Sequence, residues 1–235
     1  MNTRTDERSP LVRARIAGVL YLVANLPAPF ALLYLPSLLI VSGNAAETAN
    51  NIMASESLFR FGIVGLLFNA IANIFLVLAL FQLLKVVNKS VAALMVIFML
   101  VAAPIAMLNE LNQIAVLQLL SGADYLKVFS VEQLQAGAYL FLRLHAQGLN
   151  IAQIFWGLWL FPMGYLVFKS GFLPKILGIL LMIGCFGYVI QSIAAFLGTN
   201  ISLIFLTSWG ELLFLAWLLI KGVKVAEWEQ AAGSA

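Results

Sequence analysis

Six long apolar runs, separated by short polar intervals, dominate the chain, at about 16–41, 58–84, 90–119, 134–168, 176–197 and 201–221. A helix needs roughly 20 apolar residues to cross the hydrocarbon core of a bilayer. The pattern therefore predicts an all-α polytopic transmembrane bundle of six helices forming a single domain over 1–235. The polar positions inside these runs are few, and they carry most of the information.

Span one holds Asn25, Pro27 and Pro29 near its middle and Pro36 further out. Proline lacks a backbone donor and clashes with the preceding turn, so this helix should kink or break. Freed carbonyls in lipid need partners from neighbouring helices or water. The interruption is either a packing kink or a broken helix lining a site, as in transporters. The interval 42–57 reads as a polar loop or short surface helix. In span two Gly62, Gly65, Asn69 and Asn73 fall on one stripe, where small residues permit close approach and amides bond across helices. Arg60 lies one turn after Glu56 and suits an interfacial ion pair.

Span three contains Pro104, and its outer third reads Asn109, Glu110, Leu111, Asn112, Gln113. Four polar residues in five cannot face hydrocarbon, so they face a cavity or water at a helix end. Ser130 with Gln133 resembles a capping box opening span four. That span is too long for a straight crossing, so its first turns should project outward or tilt. Its helical wheel puts Arg143, Ala146, Gln147, Asn150, Gln153, Gly157 and Gly164 on one face, polar outward and small inward. His145 lies on nearly the opposite face. Lys169 to Lys175 is a turn built on Gly171 and Pro174. Span five carries Gly178, Gly184, Gly187 and Gln191, and Gly198 to Asn200 forms the next turn. There is also an internal echo, Arg60 with Gly65-Leu66 and Arg143 with Gly148-Leu149.

Composition sharpens the class. Hydrophobic residues make up 63% of the chain and charged residues 10%, with a mean hydropathy of +1.02. A soluble domain is about 45–50% apolar and about 25% charged. The net charge of +3 does not indicate nucleic acid, because the cations cluster between apolar runs. Arg4, Arg8, Arg13, Arg15, Lys85, Lys89, Lys169, Lys175, Lys221 and Lys224 fall on one predicted side, and Arg60, Lys127 and Arg143 on the other. The positive-inside rule then places both termini in the cytoplasm. The segment Met1 to Pro10, with Asp6 and Glu7 beside its arginines, is unlike a secretory leader, so the first run stays as a span. The tail after Lys224 is polar.

The chemistry on offer is narrow. With one cysteine, Cys185, and one histidine, His145, the chain lacks the ligands of a zinc site or of bis-histidine haem, and no cofactor is implied. No nucleophile sits in a recognisable elbow. Glu211 stands about ten residues from Lys221, roughly 15 Å of helix and hence near mid-bilayer. An ionisable residue at that depth is a functional candidate by default. The structural alternative is a glutamate bonded to Asn25, Asn69 or Asn73.

The segment from Arg15-Ile-Ala-Gly-Val-Leu-Tyr to Leu22, the His145-Ala-Gln-Gly stretch, Phe155-Trp-Gly-Leu-Trp-Leu-Phe-Pro-Met-Gly-Tyr-Leu166 and Leu173-Pro-Lys-Ile-Leu-Gly178 resemble the domain-of-unknown-function 4386 family over nearly the whole chain. The resemblance implies a six-helix bacterial inner-membrane protein and implies no activity. It marks His145, Trp156, Pro162 and Glu211 as first targets for mutation.

The leading expectation is a protein that binds or moves a small apolar or lipid-like molecule in a polar cleft walled by spans two, three, four and six. Arg143, Asn150, Gln153, Glu211, Asn69, Asn73, Glu110 and His145 are the candidate ligand-binding residues. Membrane lipids are the expected surroundings. Two alternatives stay open. One is an intramembrane enzyme using Glu211 or His145 as acid or base. The other is an accessory subunit whose polar groups only join helices.

Overall fold

The computed structural model describes residues 9–199, 201–203 and 207–233. Arg4, Asp6, Glu7, Arg8 and Asn200 lie outside them. The described chain is helical, with no strand among the described residues. Its helices are α1 (Pro10–Asn25), α2 (Pro27–Pro29), α3 (Leu35–Leu39), α4 (Ala45–Ala54), α5 (Glu56–Leu84), α6 (Lys89–Leu119), α7 (Val131–Leu158), α8 (Leu160–Lys169), α9 (Lys175–Phe196), α10 (Trp209–Ile220) and α11 (Val225–Gly233). Five stretches are long and apolar enough to cross a membrane: Pro10–Leu39, Glu56–Leu84, Lys89–Leu119, Val131–Lys169 and Lys175–Phe196. Within the sixth expected span the described residues include the apolar helix α10, of 12 residues.

The outward faces of these helices are apolar. On α5, Phe61, Val64, Phe68, Ile71, Phe75 and Leu78 recur every three or four residues, and each is exposed. On α9, Ile176, Ile179, Ile183, Phe186 and Ile190 do the same. Water does not tolerate contiguous apolar stripes of this size, whereas hydrocarbon does. The chain is an integral membrane protein.

The described residues fall into two compact units. Unit one takes the described parts of Met1–Val23, Asn73–Ala102 and Gln153–Ala235, and unit two takes Ala24–Ala72 and Ala103–Ala152. α1, α5, α6 and α7 contribute segments to both.

Unit one is built on glycine contacts. A Cβ at Gly164 would stand 2.6 Å from the Gly178 carbonyl oxygen, so α8 and α9 cross with backbones nearly touching. Gly18 meets Leu219, Gly210 meets Leu180, and Gly187 meets Thr207, which brings α1, α9 and α10 together. Around these lie buried Leu76, Leu80, Met95, Leu160, Met163 and Phe214. The expected span four is divided at Trp159 into α7 and α8. Pro162 has no N–H to offer the carbonyl one turn earlier, and this accounts for the break. The turn at Ser170 to Pro174 uses Gly171 at φ 74°. The stretch read as a polar tail forms α11, and Trp228 Nε1–H donates to the Leu83 carbonyl at 2.9 Å. The Arg13 guanidinium stacks 5.5 Å above the Trp228 ring.

In unit two the proline-rich part of span one is interrupted. α1 ends at Asn25, and α2 leads through a π-helical turn, Phe30–Tyr34, into α3. The expected stripe on α5 faces this interruption at three successive turns. Gly62 meets Leu35, Gly65 meets Pro27, and Asn69 Nδ2–H donates to the Ala24 carbonyl at 2.7 Å. The amide supplies a donor to a carbonyl just before the break, where the helix has fewest of its own. The interval 42–57 contains α4, capped by Asn44, whose side chain accepts from the Glu47 N–H at 3.0 Å. Ser130 and Gln133 form the expected capping box, with bonds of 2.8 and 3.3 Å. Arg60 Nε–H donates to Glu56 at 2.7 Å, the expected surface pair.

Candidate functional site

The residues expected to share one cleft are divided between the units. Gln153, Glu211 and Asn73 belong to unit one, and Asn69, Glu110, Arg143, His145 and Asn150 belong to unit two.

In unit one the centre is Glu211, in the first turn of α10. Its carboxylate is held by two phenols. Tyr21 O–H donates to Oε2 at 2.6 Å, and Tyr188 O–H donates to Oε1 at 2.9 Å. The sequence suggested amides for this role. Tyr21 comes from α1 and Tyr188 from α9, and the glycine contacts described above let both reach the same group. The Tyr21 ring lies edge-on to Trp159 and Phe214, with centroids 6.1 and 6.4 Å away. No lysine or arginine pairs with Glu211 among the described residues. Gln153 is buried, and so is Asn73. A cavity of about 450 Å³ lies elsewhere in this unit, between the α8–α9 turn and the end of α10. Phe172, Leu173, Trp217 and Val223 give it apolar walls, and Lys221 and Lys224 also line it, the Lys224 ammonium standing 3.4 Å from the Glu227 carboxylate.

In unit two a second carboxylate has different company. Glu110 is 2% exposed, and His145 and Gln113 are each 8% exposed. His145 Nε2 stands 3.0 Å from Glu110 Oε1. Gln113 Nε2–H donates to Glu110 Oε2 at 3.0 Å, and the same amide nitrogen is 3.0 Å from His145 Nε2. Asn109 Nδ2–H donates to the His145 backbone carbonyl at 2.9 Å. This depends on Gly148, since a Cβ there would overlap the Asn109 side chain. The polar residues of α6 therefore point into α7, and His145 meets them on the face away from Arg143. Arg143 is exposed, and Asn150 bonds Gln147 at 3.3 Å. Both glycines of the internal echo mark close helix approaches, Gly65 beside the Asn69 bond and Gly148 beside the Asn109 bond.

Three participants were not singled out from sequence: Tyr21, Tyr188 and, as a partner of His145, Gln113. A tyrosine in an apolar run reads as an anchor or as packing. Its hydroxyl partner lies up to 190 positions away, in the case of Tyr21 and Glu211. Gln113 was visible as polar, but its target was not. Among the described residues, no three of His, Cys, Asp or Glu converge as metal ligands. Cys185 is a buried free thiol.

A family model described as "Domain of unknown function (DUF4386)" matches residues 16–222. An uncharacterised protein of Archaeoglobus fulgidus is 33% identical over 167 residues, covering 71% of this chain and 87% of that one. No solved structure matches. With the match running from the start of the first span to the end of α10, the chain belongs to the DUF4386 family of membrane proteins.

Proposed function

We propose that this protein binds or moves a small, largely apolar or lipid-like molecule with an anionic head. The observation that carries the reading is the cavity of about 450 Å³ in unit one. Its walls suit an apolar body, and the Lys221 ammonium, with Lys224 exchanging its surface pair with Glu227, suits a phosphate or carboxylate. Trp217, which lines it, sits six residues after Glu211 on the same helix, roughly 9 Å of rise. A ligand longer than its head group would extend toward the partly buried Glu211 carboxylate. In this reading α10 completes a sixth crossing. The clustering of Arg13, Arg15, Lys85, Lys89, Lys169, Lys175, Lys221 and Lys224 supports a reading with the termini on the cytoplasmic side of a plasma membrane. Gln153, buried in the same unit, is retained as a secondary contact. Intramembrane acid–base catalysis is the second reading, favoured by the 3.0 Å approach of His145 to Glu110.

The test is mass spectrometry of small molecules and lipids released from gently purified protein. One species recovered reproducibly, and reduced at least fivefold in a Lys221→Ala/Lys224→Ala variant, supports the reading. Recovery of bulk membrane lipid alone, equal in wild type, that variant and Glu211→Gln, overturns it.

A further inference from the structure

We propose that Glu110, Gln113 and His145 form a proton-binding site between α6 and α7, holding one exchangeable proton on the line from Glu110 Oε1 to His145 Nε2. The argument is a count of donors and acceptors, and it is independent of the lipid-like ligand assigned to unit one.

The Gln113 amide nitrogen can only donate. It donates to Glu110 Oε2 at 3.0 Å and also lies 3.0 Å from His145 Nε2, which it can bond only if that ring nitrogen is an acceptor. Turning the amide over would set its oxygen against the Glu110 carboxylate, so Glu110 fixes this orientation. For Nε2 to accept from Gln113 it must be bare, with the ring hydrogen on Nδ1. A bare Nε2 then faces Glu110 Oε1 at 3.0 Å, acceptor against acceptor. One added proton between them turns that contact into a hydrogen bond. The proton rests either on Oε1, as a carboxylic acid that takes the single Nε2 lone pair in competition with the Gln113 N–H, or on Nε2, as an imidazolium donating to Oε1, in which case Gln113 keeps only its bond to Oε2. Uptake makes one O–H or N–H bond and breaks only the bond that held the proton in water or on a buffer acid.

The surroundings favour such a site. All three side chains are buried, and the low local dielectric strengthens both the satisfied and the unsatisfied arrangement. Asn109, bonded to the His145 backbone carbonyl at 2.9 Å, fixes the stretch of α7 from which the ring extends. The other charged groups of unit two are engaged elsewhere or face outward. Glu56 pairs with Arg60, and Asp124 pairs with Lys127. Glu47 bonds Asn44 on α4, while Glu132 and Arg143 on α7 are exposed. The Tyr139 hydroxyl accepts from the Gly43 N–H, and Tyr125 donates to Gln118. Tyr34 is exposed. None of these bonds to Glu110 or His145 among the described residues. Because Glu110 and His145 sit on different helices, filling the site adds a bond between α6 and α7. Proton occupancy is thereby tied to how firmly those helices associate.

The chain has one histidine, so ¹⁵N-histidine labelling of the full-length protein in lipid nanodiscs reports this ring alone. The expected result is that the ring-nitrogen signals change with pH in wild type. Glu110→Gln displaces that change by at least one pH unit, a tenfold change in proton affinity, and Gln113→Leu displaces it less. If Glu110→Gln does not yield folded protein, Glu110→Asp is measured instead and should also displace the response. An unchanged response in the carboxylate variant overturns the proposal. So does a wild-type ring whose signals stay constant from pH 4 to 9.

Discussion

The two buried carboxylates solve the same problem in different ways. Glu211 in unit one is gripped at both oxygens by phenols, at 2.6 and 2.9 Å. Glu110 in unit two is gripped by an imidazole and an amide, each at 3.0 Å. Phenol protons do not leave near neutral pH, since their ordinary pKa is about 10. The first arrangement is thus a fixed cage of donors around an acceptor. An imidazole nitrogen can either donate or accept, according to where the ring proton sits, so the second arrangement can change its own hydrogen-bond pattern. A carboxylate in a membrane is therefore not one kind of site. Its partners decide whether it holds a fixed polar surface or handles protons.

Several substitutions would break or sharpen this contrast. The largest effect should come from Gly164→Val, because the α8–α9 crossing that supports unit one leaves 2.6 Å for a side chain beside the Gly178 carbonyl. Overpacking of that kind costs about 3 kcal/mol, read as a large fall in thermal midpoint in detergent, and a normal midpoint would show that the helices can part there. Next comes Glu110→Ala, which strands an amide and a ring in the buried core of unit two and should cost about 2–3 kcal/mol. Glu211→Ala removes the acceptor of both the Tyr21 and Tyr188 bonds but leaves each donor a neutral phenol, and should cost about 2 kcal/mol. The order of these two is the point, and a reversed order in the same denaturation assay would break the comparison. Tyr21→Phe and Tyr188→Phe each remove one donor and keep the ring, for about 1 kcal/mol. Tyr21, with the shorter bond and the two edge-on aromatic neighbours, should be the more sensitive. Arg60→Ala breaks only a solvated pair with Glu56 and should shift stability by less than about 0.5 kcal/mol.

The elements were readable wherever the signal is local. Apolar run length located five crossing helices, and the stripe Gly62, Gly65, Asn69 met the interrupted helix as its spacing implied. The Ser130–Gln133 box and the Glu56–Arg60 pair are three- and four-residue patterns, and both formed. The site was legible only as a parts list. Glu110, His145 and Glu211 stood out because charge is rare in apolar sequence. Which partner each would find depends on helix rotation and on separations of 35 and 190 residues, about which a helical wheel is silent. The break at Trp159 was missed because Pro162 lies in a run otherwise long enough to continue, and α11 because a short polar tail gives little periodicity to read.

The clasp made by Trp228 has a consequence for how the molecule is assembled. Its indole bonds a carbonyl 145 residues earlier and lies beneath a guanidinium from α1. During synthesis, α1 and the α5–α6 turn leave the ribosome long before their fastener does. Until Trp228 emerges, the Leu83 carbonyl must rely on water or lipid head groups, and Arg13 lacks its aromatic partner. Chains stalled short of α11 should thus be inserted but not closed, and a protease would find the α5–α6 turn open in them and shut in the finished protein.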